Sequence, residues 1–97
     1  MYARLNLLSL KAGTLSRAME AARGGALAEH KAQKGFKSVV FLSGDETDEV
    51  ASFSLWETKE DAEAAANAMR PRMMEEIGGF LKGPPTTKLL QVHEPEA

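Results

Sequence analysis

The chain has 97 residues, carries a net charge of −2 and contains no cysteine, so disulfides and thiolate metal sites are excluded. Lysine and arginine are scattered among acidic residues rather than gathered into a basic stripe, which argues against nucleic-acid binding. No apolar stretch approaches the ~20 residues needed to cross a bilayer, and no signal-peptide cleavage pattern follows the N-terminal apolar run. We therefore expect one domain over residues 1–97, located in the cytoplasm, with neither a membrane nor a nucleic acid as partner.

The first two elements differ in their hydrophobic period. Residues 2–9 form a short apolar run that ends before Lys11-Ala12-Gly13, which predicts a strand. Residues 14–33 instead carry apolar side chains at helical spacing, which predicts a helix whose buried stripe is Leu15, Ala18, Met19, Ala22 and Ala26.

The ends of this first helix are indicated by residues with particular backbone preferences. Thr14 is the predicted N-cap, and Gly35 is predicted to end the segment. Gly24 and Gly25 lie inside the helix, where each costs about 1 kcal/mol, so we expect a kink or a break there.

Two strands with a tight connection follow. Residues 36–43 and 49–56 are rich in β-branched and aromatic side chains, and the segment GDETD, residues 44–48, lies between them. This arrangement predicts a β-hairpin.

The second helix begins at Thr58, where the following acidic residues resemble a capping box. Pro71 interrupts the helical pattern, so the helix is expected to kink or restart there. The pattern stops before Gly83-Pro84-Pro85, and residues 86–93 then predict a last strand. The buried stripe of the helix is expected to contain Ala62, Ala65, Ala66, Met69, Met73, Ile77 and Phe80.

The element order β-α-β-β-α-β predicts an α+β, ferredoxin-like fold, in which an antiparallel sheet of order 4-1-3-2 carries two helices on one face. Both faces of the sheet are apolar by this pattern. In the second strand one face of the sheet is expected to carry Phe36, Val40 and Leu42, and the other face Val39 and Phe41. Since the helices cover only one face, we expect a homodimer with its sheets packed face to face. A monomer with an apolar outer face is the alternative.

Three features then point to a known family: Gly35-Phe36 opening a strand, Asn6 in the first strand, and the segment SFSLWETKEDAEAA over residues 52–65. Together they resemble the antibiotic-biosynthesis-monooxygenase-like domains of the dimeric α+β barrel superfamily. The resemblance implies a homodimer with one pocket per subunit, between sheet and helices. Some such domains oxidise quinols or phenolic polyketides with O2 and no cofactor. Others degrade haem, but the histidine they use is missing from the helix after Trp56.

The resemblance implies catalytic roles for Asn6 and Trp56, whose amide and indole N–H would place substrate oxygens. His30 is the candidate base, because its ordinary pKa is ~6.5. Packing of Trp56, a backbone hydrogen bond of Asn6 and a surface position of His30 are the alternatives. His30 and His93 are too far apart in sequence to predict a metal site, and we expect no metal or cofactor.

The ligand is expected to be a small molecule. The predicted pocket is lined by Leu8, Phe53, Met69, Met73 and Phe80, although the methionines also suit a core. Arg70 and Arg72 are interpreted either as solvated charges or as groups that bind an anion at the pocket mouth. These observations favour a cofactor-independent monooxygenase acting on a quinol or phenol, with a non-catalytic small-molecule-binding protein as the alternative.

Overall fold

The computed structural model of the chain describes residues 1–44 and 47–94. Its strands are β1 Tyr2–Ser9, β2 Phe36–Ser43, β3 Glu49–Trp56 and β4 Thr86–Gln91, and its helices are α1 Leu15–Ala21, α2 Leu27–Lys31 and α3 Lys59–Ile77. A π-helical turn, Ala22–Ala26, joins α1 to α2, and a 3-10 turn, Gly78–Phe80, follows α3. The first three strands have the predicted bounds, whereas β4 ends before the predicted residue 93. Asp45 and Glu46 of the predicted hairpin turn lie outside the described residues.

The four strands form one antiparallel sheet of order β2-β3-β1-β4, which confirms the predicted ferredoxin-like topology. In this register Tyr2 of β1 lies opposite Trp56, while Asn6 lies opposite Ser52 of β3 and Thr87 of β4. Because directly opposed residues project from the same face of a sheet, the register fixes which side chains meet.

One face of the sheet packs against the helices through two apolar clusters. The first joins Leu8 and Val50 of the sheet to Ala18 of α1. The second joins Trp56 to α3, which presents small or flexible side chains to it: Ala62, Ala65 and Met69. Both helical segments therefore lie on the same face of the sheet, as predicted.

The irregularity expected at the glycine pair is present as a π-helical turn that interrupts the α-helix without ending the helical segment. Gly24 and Gly25 lie within the π-helical turn, and the residues that flank the turn keep right-handed helical backbone angles. Thr14 is the N-cap of α1, as predicted, and its carbonyl accepts the Ala18 N–H at 3.1 Å, but its side chain caps no helical N–H. Its hydroxyl instead donates to the carbonyl oxygen of Lys11 at 2.7 Å.

Gly35 follows α2 and has a φ of 79°, a left-handed conformation that favours glycine. A Cβ atom at this position would strike the Asp61 side chain at the start of α3. The carbonyl of Gly35 also accepts the Glu57 N–H at 2.8 Å. Glycine here allows the chain leaving the first helical segment to pass close to the end of β3.

Helix α3 begins as the sequence predicts, because Thr58 accepts the Asp61 N–H at 3.1 Å through its side-chain oxygen. The expected restart at Pro71 is wrong, since α3 continues through this residue to Ile77. Pro71 is exposed, so water can satisfy the carbonyl of Asn67 that loses its helical partner. None of the helices within residues 1–44 and 47–94 is both long and apolar enough to cross a membrane.

The predicted orientation of Phe36 is wrong. The pairing of β2 with β3 shifts register between Phe36 and Ser38, so an extra residue separates Phe36 from the rest of the strand. This β-bulge places Phe36 opposite Trp56, on the helix-covered face with Phe41 rather than on the face of Val40. A strict period of two cannot reveal such an irregularity.

The other face of the sheet, which we call the outer face, is apolar and uncovered in the single chain. It carries Leu5 and Ala51 beside five large side chains that are 37–51% exposed: Leu7, Val40, Leu42, Phe53 and Leu90. Val40 and Phe53 lie directly opposite each other on neighbouring strands. The sheet thus has the two apolar faces that the sequence predicts.

Candidate functional site

A cavity of about 190 Å³, partly open to solvent, lies between the helix-covered face of the sheet and the helices. Its apolar wall includes Leu8, Phe41, Met69 and Met73. Its polar wall combines sheet residues with charged groups from α2 and α3. A cavity of roughly 150 Å³ with apolar walls is large enough to hold benzene, so this one suits a ligand with a single ring.

A row of polar side chains crosses the sheet at the floor of this cavity. Ser52, Asn6 and Thr87 are opposed in register on β3, β1 and β4, and all three line the cavity. Asn6 is 7% exposed, and its Oδ1 accepts the Thr87 hydroxyl at 2.9 Å. This bond orients the amide so that the Asn6 Nδ2 group is available to donate to a ligand oxygen.

His30 of α2 borders the same cavity and is 7% exposed. Its Nδ1 lies 2.7 Å from the carbonyl oxygen of Ala26. A carbonyl only accepts, so Nδ1 carries the proton of the neutral ring and Nε2 carries the free lone pair. Nε2 is buried and has no partner among the described residues. The ring lies among aromatic side chains, with ring centroids 5.8 Å from Phe41 and 6.3 Å from Trp56.

The surroundings of His30 keep its imidazole neutral. Burial lowers the pKa of His30 and is the largest influence; the Ala26 carbonyl opposes it. The positive charge of Arg4 lowers the pKa further, and the carboxylate of Glu29 raises it. Because the net shift is downward from the ordinary value, His30 is an unprotonated base at neutral pH.

Charged side chains from three elements meet at the cavity. Arg72 of α3 donates from Nε to Glu76 at 2.9 Å and from Nη1 to Glu29 of α2 at 3.2 Å. Arg4 lies on β1 and Arg70 on α3, and both also line the cavity. Burial lowers the pKa of Arg4, and the charge of Arg70 lowers it further. The guanidinium groups nevertheless remain charged at neutral pH.

Trp56 does not line the cavity. It is fully buried in the cluster with α3, and its indole N–H donates to the Ser54 hydroxyl at 2.9 Å. The Ser54 hydroxyl lies 3.4 Å from the carbonyl oxygen of Arg4 and donates to it. The indole N–H is therefore occupied inside the protein, and Trp56 is a neighbour of His30 rather than part of the cavity wall.

Replacing Ser54 with alanine should lower the free energy of unfolding by about 1–3 kcal/mol, because a buried indole N–H would lose its acceptor. Urea unfolding followed by circular dichroism measures this loss. Ser52→Ala is the matched control on the same strand and face, and it should change the free energy by less than about 0.5 kcal/mol. Equal losses in the two variants would rule out a special role for the Ser54–Trp56 bond.

The predicted pocket residues divide into two groups. Leu8, Met69 and Met73 line the cavity, as do the predicted catalytic residues Asn6 and His30. Phe53 lies directly opposite Leu5, which is on the outer face, so Phe53 projects from the outer face as well. Phe80 packs in the Leu8 cluster instead of on the cavity wall.

Sequence reasoning missed the roles of Arg4, Ser52 and Thr87 in the cavity wall. A signal for Arg4 was present, since it alternates with Asn6 and Leu8 on the face that β1 buries. Ser52 and Thr87 are identified only by the register that places them beside Asn6. Within residues 1–44 and 47–94, no three histidine, aspartate or glutamate side chains are grouped as metal ligands would be.

No protein-family model matches the chain, and no curated protein sequence matches it. Solved structures, however, match along nearly its whole length. A monooxygenase from the gene ActVA-Orf6 of Streptomyces coelicolor, in complex with nanaomycin D, is 17% identical with a TM-score of 0.81, over 99% of this chain and 90% of that one.

Two further structures show how varied these matches are. SnoaB, a cofactor-independent oxygenase from Streptomyces nogalater, is 13% identical with a TM-score of 0.74, over 97% of this chain and 94% of that one. A protein of unknown function from Nitrosomonas europaea is 18% identical with a TM-score of 0.81, over 99% of this chain and 92% of that one. Identities this low establish shared fold rather than shared activity. The chain therefore has the ferredoxin-like α+β fold found in structures named as antibiotic biosynthesis monooxygenases.

Proposed function

We propose that the protein is a cofactor-independent monooxygenase that acts on a small quinol or phenol. The observation that carries the proposal is His30, a neutral base at the cavity whose tautomer is fixed by the Ala26 carbonyl. A base oriented in this way is what deprotonation of a phenolic hydroxyl requires. Structures of the same fold that are named as monooxygenases make the reaction class reasonable.

The reaction uses the substrate itself as the electron source. His30 Nε2 accepts the phenolic proton, and the resulting phenolate transfers one electron to O2. The phenoxyl radical, which carries unpaired spin on its ring carbons, then combines with superoxide to form a carbon–oxygen bond. Heterolysis of the O–O bond, with protons from the imidazolium and the ring carbon, gives a quinone and one water molecule. One oxygen atom of O2 thus enters the product, and the other leaves as water.

Asn6 supplies the second interaction in this scheme. Its Nδ2 group donates to the substrate oxygen as negative charge develops there, while Thr87 holds the amide in place. His30 Nε2 is shielded from solvent, so the hydroxyl reaches it after a small movement of flexible lining side chains such as Met69 and Met73. Trp56 is not assigned a part in the reaction.

The functional unit in this proposal is a homodimer in the cytoplasm. The support is the outer face, where five large apolar side chains are 37–51% exposed in the single chain. Contiguous apolar surface of this kind marks a binding surface. A second copy of the sheet offers the same flat apolar surface in return, as a twofold interface requires.

Oxygen uptake by the purified protein tests the proposed reaction. We expect uptake with at least one member of a panel of hydroquinones and naphthols, and an approximately 100-fold lower rate in Asn6→Ala, because a donor to the developing oxyanion is lost. Asn67→Ala is the matched control, since Asn67 is exposed on α3. Ligand-dependent thermal stabilisation without any uptake would support the non-catalytic binding protein instead.

A further inference from the structure

Arg4 is a partly buried cation with no counterion among the residues that the structure describes. It lies on the helix-covered face of β1, directly opposite Ser54, and lines the cavity. Its Nε atom is buried and has no hydrogen-bond partner among the described residues. Removing a charge from water is costly unless an opposite charge or hydrogen bonds compensate it. A residue of this kind on a cavity wall indicates that the compensating group is supplied by a ligand.

The other charges of the cavity wall do not neutralise Arg4. The wall holds three arginines and two glutamates, and both glutamates bind Arg72. Within residues 1–44 and 47–94, neither Arg4 nor Arg70 forms an ion pair. His30 is neutral, so it adds no positive charge and no negative charge. The cavity therefore has two guanidinium groups available to an anion.

We infer that the substrate is a single-ring hydroxyaromatic carboxylate, whose carboxylate pairs with Arg4 and Arg70 while its hydroxyl approaches His30. Guanidinium groups bind carboxylates through two parallel hydrogen bonds, which fixes orientation as well as position. The volume of about 190 Å³ accommodates one ring with small substituents. This inference rests on the proposed function, and it adds the class of substrate.

Isothermal titration calorimetry under argon measures binding without turnover. The ligands are gentisate, a quinol that carries a carboxylate, and methyl gentisate, which has the same ring without the charge. The unchanged protein should bind gentisate at least about 10-fold more tightly than methyl gentisate. Arg4→Met and Arg70→Met should each reduce this preference to about threefold or less.

Arg17→Met is the matched control, because it removes the same charge from an exposed position on α1 and should keep the full preference. Arg4→Met should melt at the same temperature as the unchanged protein or higher, since it removes an uncompensated charge. Arg70 is exposed, so its variant tests the inference independently of folding. Equal affinity of the unchanged protein for the two ligands would overturn the inference. A preference that survives both Arg4→Met and Arg70→Met would overturn it as well.

The two proposals can fail separately. Oxidation of neutral hydroquinone without any preference for gentisate would refute only the carboxylate site. Tight binding of gentisate, with no quinol oxidised, would refute the monooxygenase and leave the carboxylate site in place.

Discussion

Replacing His30 with glutamine should lower the rate of O2 uptake by about 10²–10⁴-fold on any substrate that the unchanged protein oxidises. Glutamine has no group that accepts a proton at neutral pH, so formation of the phenolate would depend on water. Binding should change much less, because Asn6 and the arginines remain on the cavity wall. An oxygen electrode measures the rate, and calorimetry under argon measures the dissociation constant.

The matched control is His93→Gln, which changes the other histidine of the chain at an exposed position. This variant should keep the rate within about twofold. A His30→Gln variant that binds substrate normally and still consumes O2 at the original rate would remove His30 from the mechanism. Loss of binding together with loss of rate would instead show that the imidazole positions the substrate.

The pH profile gives an independent check on the same residue. Because burial lowers the pKa of His30, the base stays unprotonated at pH 6.5 and the rate should fall only at more acidic pH. The free energy of unfolding should also decrease at acidic pH. Below about pH 6.5 the unfolded chain takes up a proton that the folded chain still excludes, so the free energy of unfolding decreases as the pH falls through the folded-state pKa. His30→Gln should remove this part of the pH dependence.

The strands and their order could be predicted because local pattern and topology agree. Alternation in β1 and β3 predicts that Leu8 and Leu7 lie on different faces of the sheet, as do Trp56 and Phe53. The structure places all four as predicted. The same alternation gives the wrong face for Phe36, because the extra residue in the β2 bulge reverses the face of Phe36 relative to the rest of the strand. The order of the strands could therefore be predicted from local pattern, whereas the face on which each side chain lies also depends on the register between strands.

The candidate site was harder to predict than the fold. Asn6 and His30 come together although 24 positions separate them in the sequence, and no local pattern reports that meeting. Trp56 is a single aromatic residue at a strand end, which suggests a ligand contact, yet Ser54 two residues earlier occupies its N–H. Arg4 was missed, although its alternation with Asn6 and Leu8 was a usable signal. Sequence reasoning thus identified Asn6 and His30, whereas the residues that surround them in the cavity depend on the strand register and on the position of α2.

Substitutions on the outer face should dissociate the homodimer that we expect to form there. We expect the unchanged chain, of 10.5 kDa, to sediment at twice that mass at micromolar concentration. Val40→Asp combined with Phe53→Asp should raise the dissociation constant of the dimer by at least about 100-fold. These two residues lie opposite each other within the apolar patch, so the substitutions place four carboxylates in one interface. Each tenfold step corresponds to about 1.4 kcal/mol, and unpaired buried charges cost at least that much.

The control for this double variant is Ala64→Asp combined with Ala68→Asp, which adds the same charge on the exposed side of α3. It should sediment like the unchanged chain, because α3 covers the opposite face of the sheet. Circular dichroism separates dissociation from unfolding, since a dissociated but folded chain keeps its helix and strand signals. If the unchanged chain sediments as a single folded copy at micromolar concentration, the outer face has another partner or none. The cavity lies on the other side of the sheet, so its assignment to His30 and Asn6 would still be testable in that monomer.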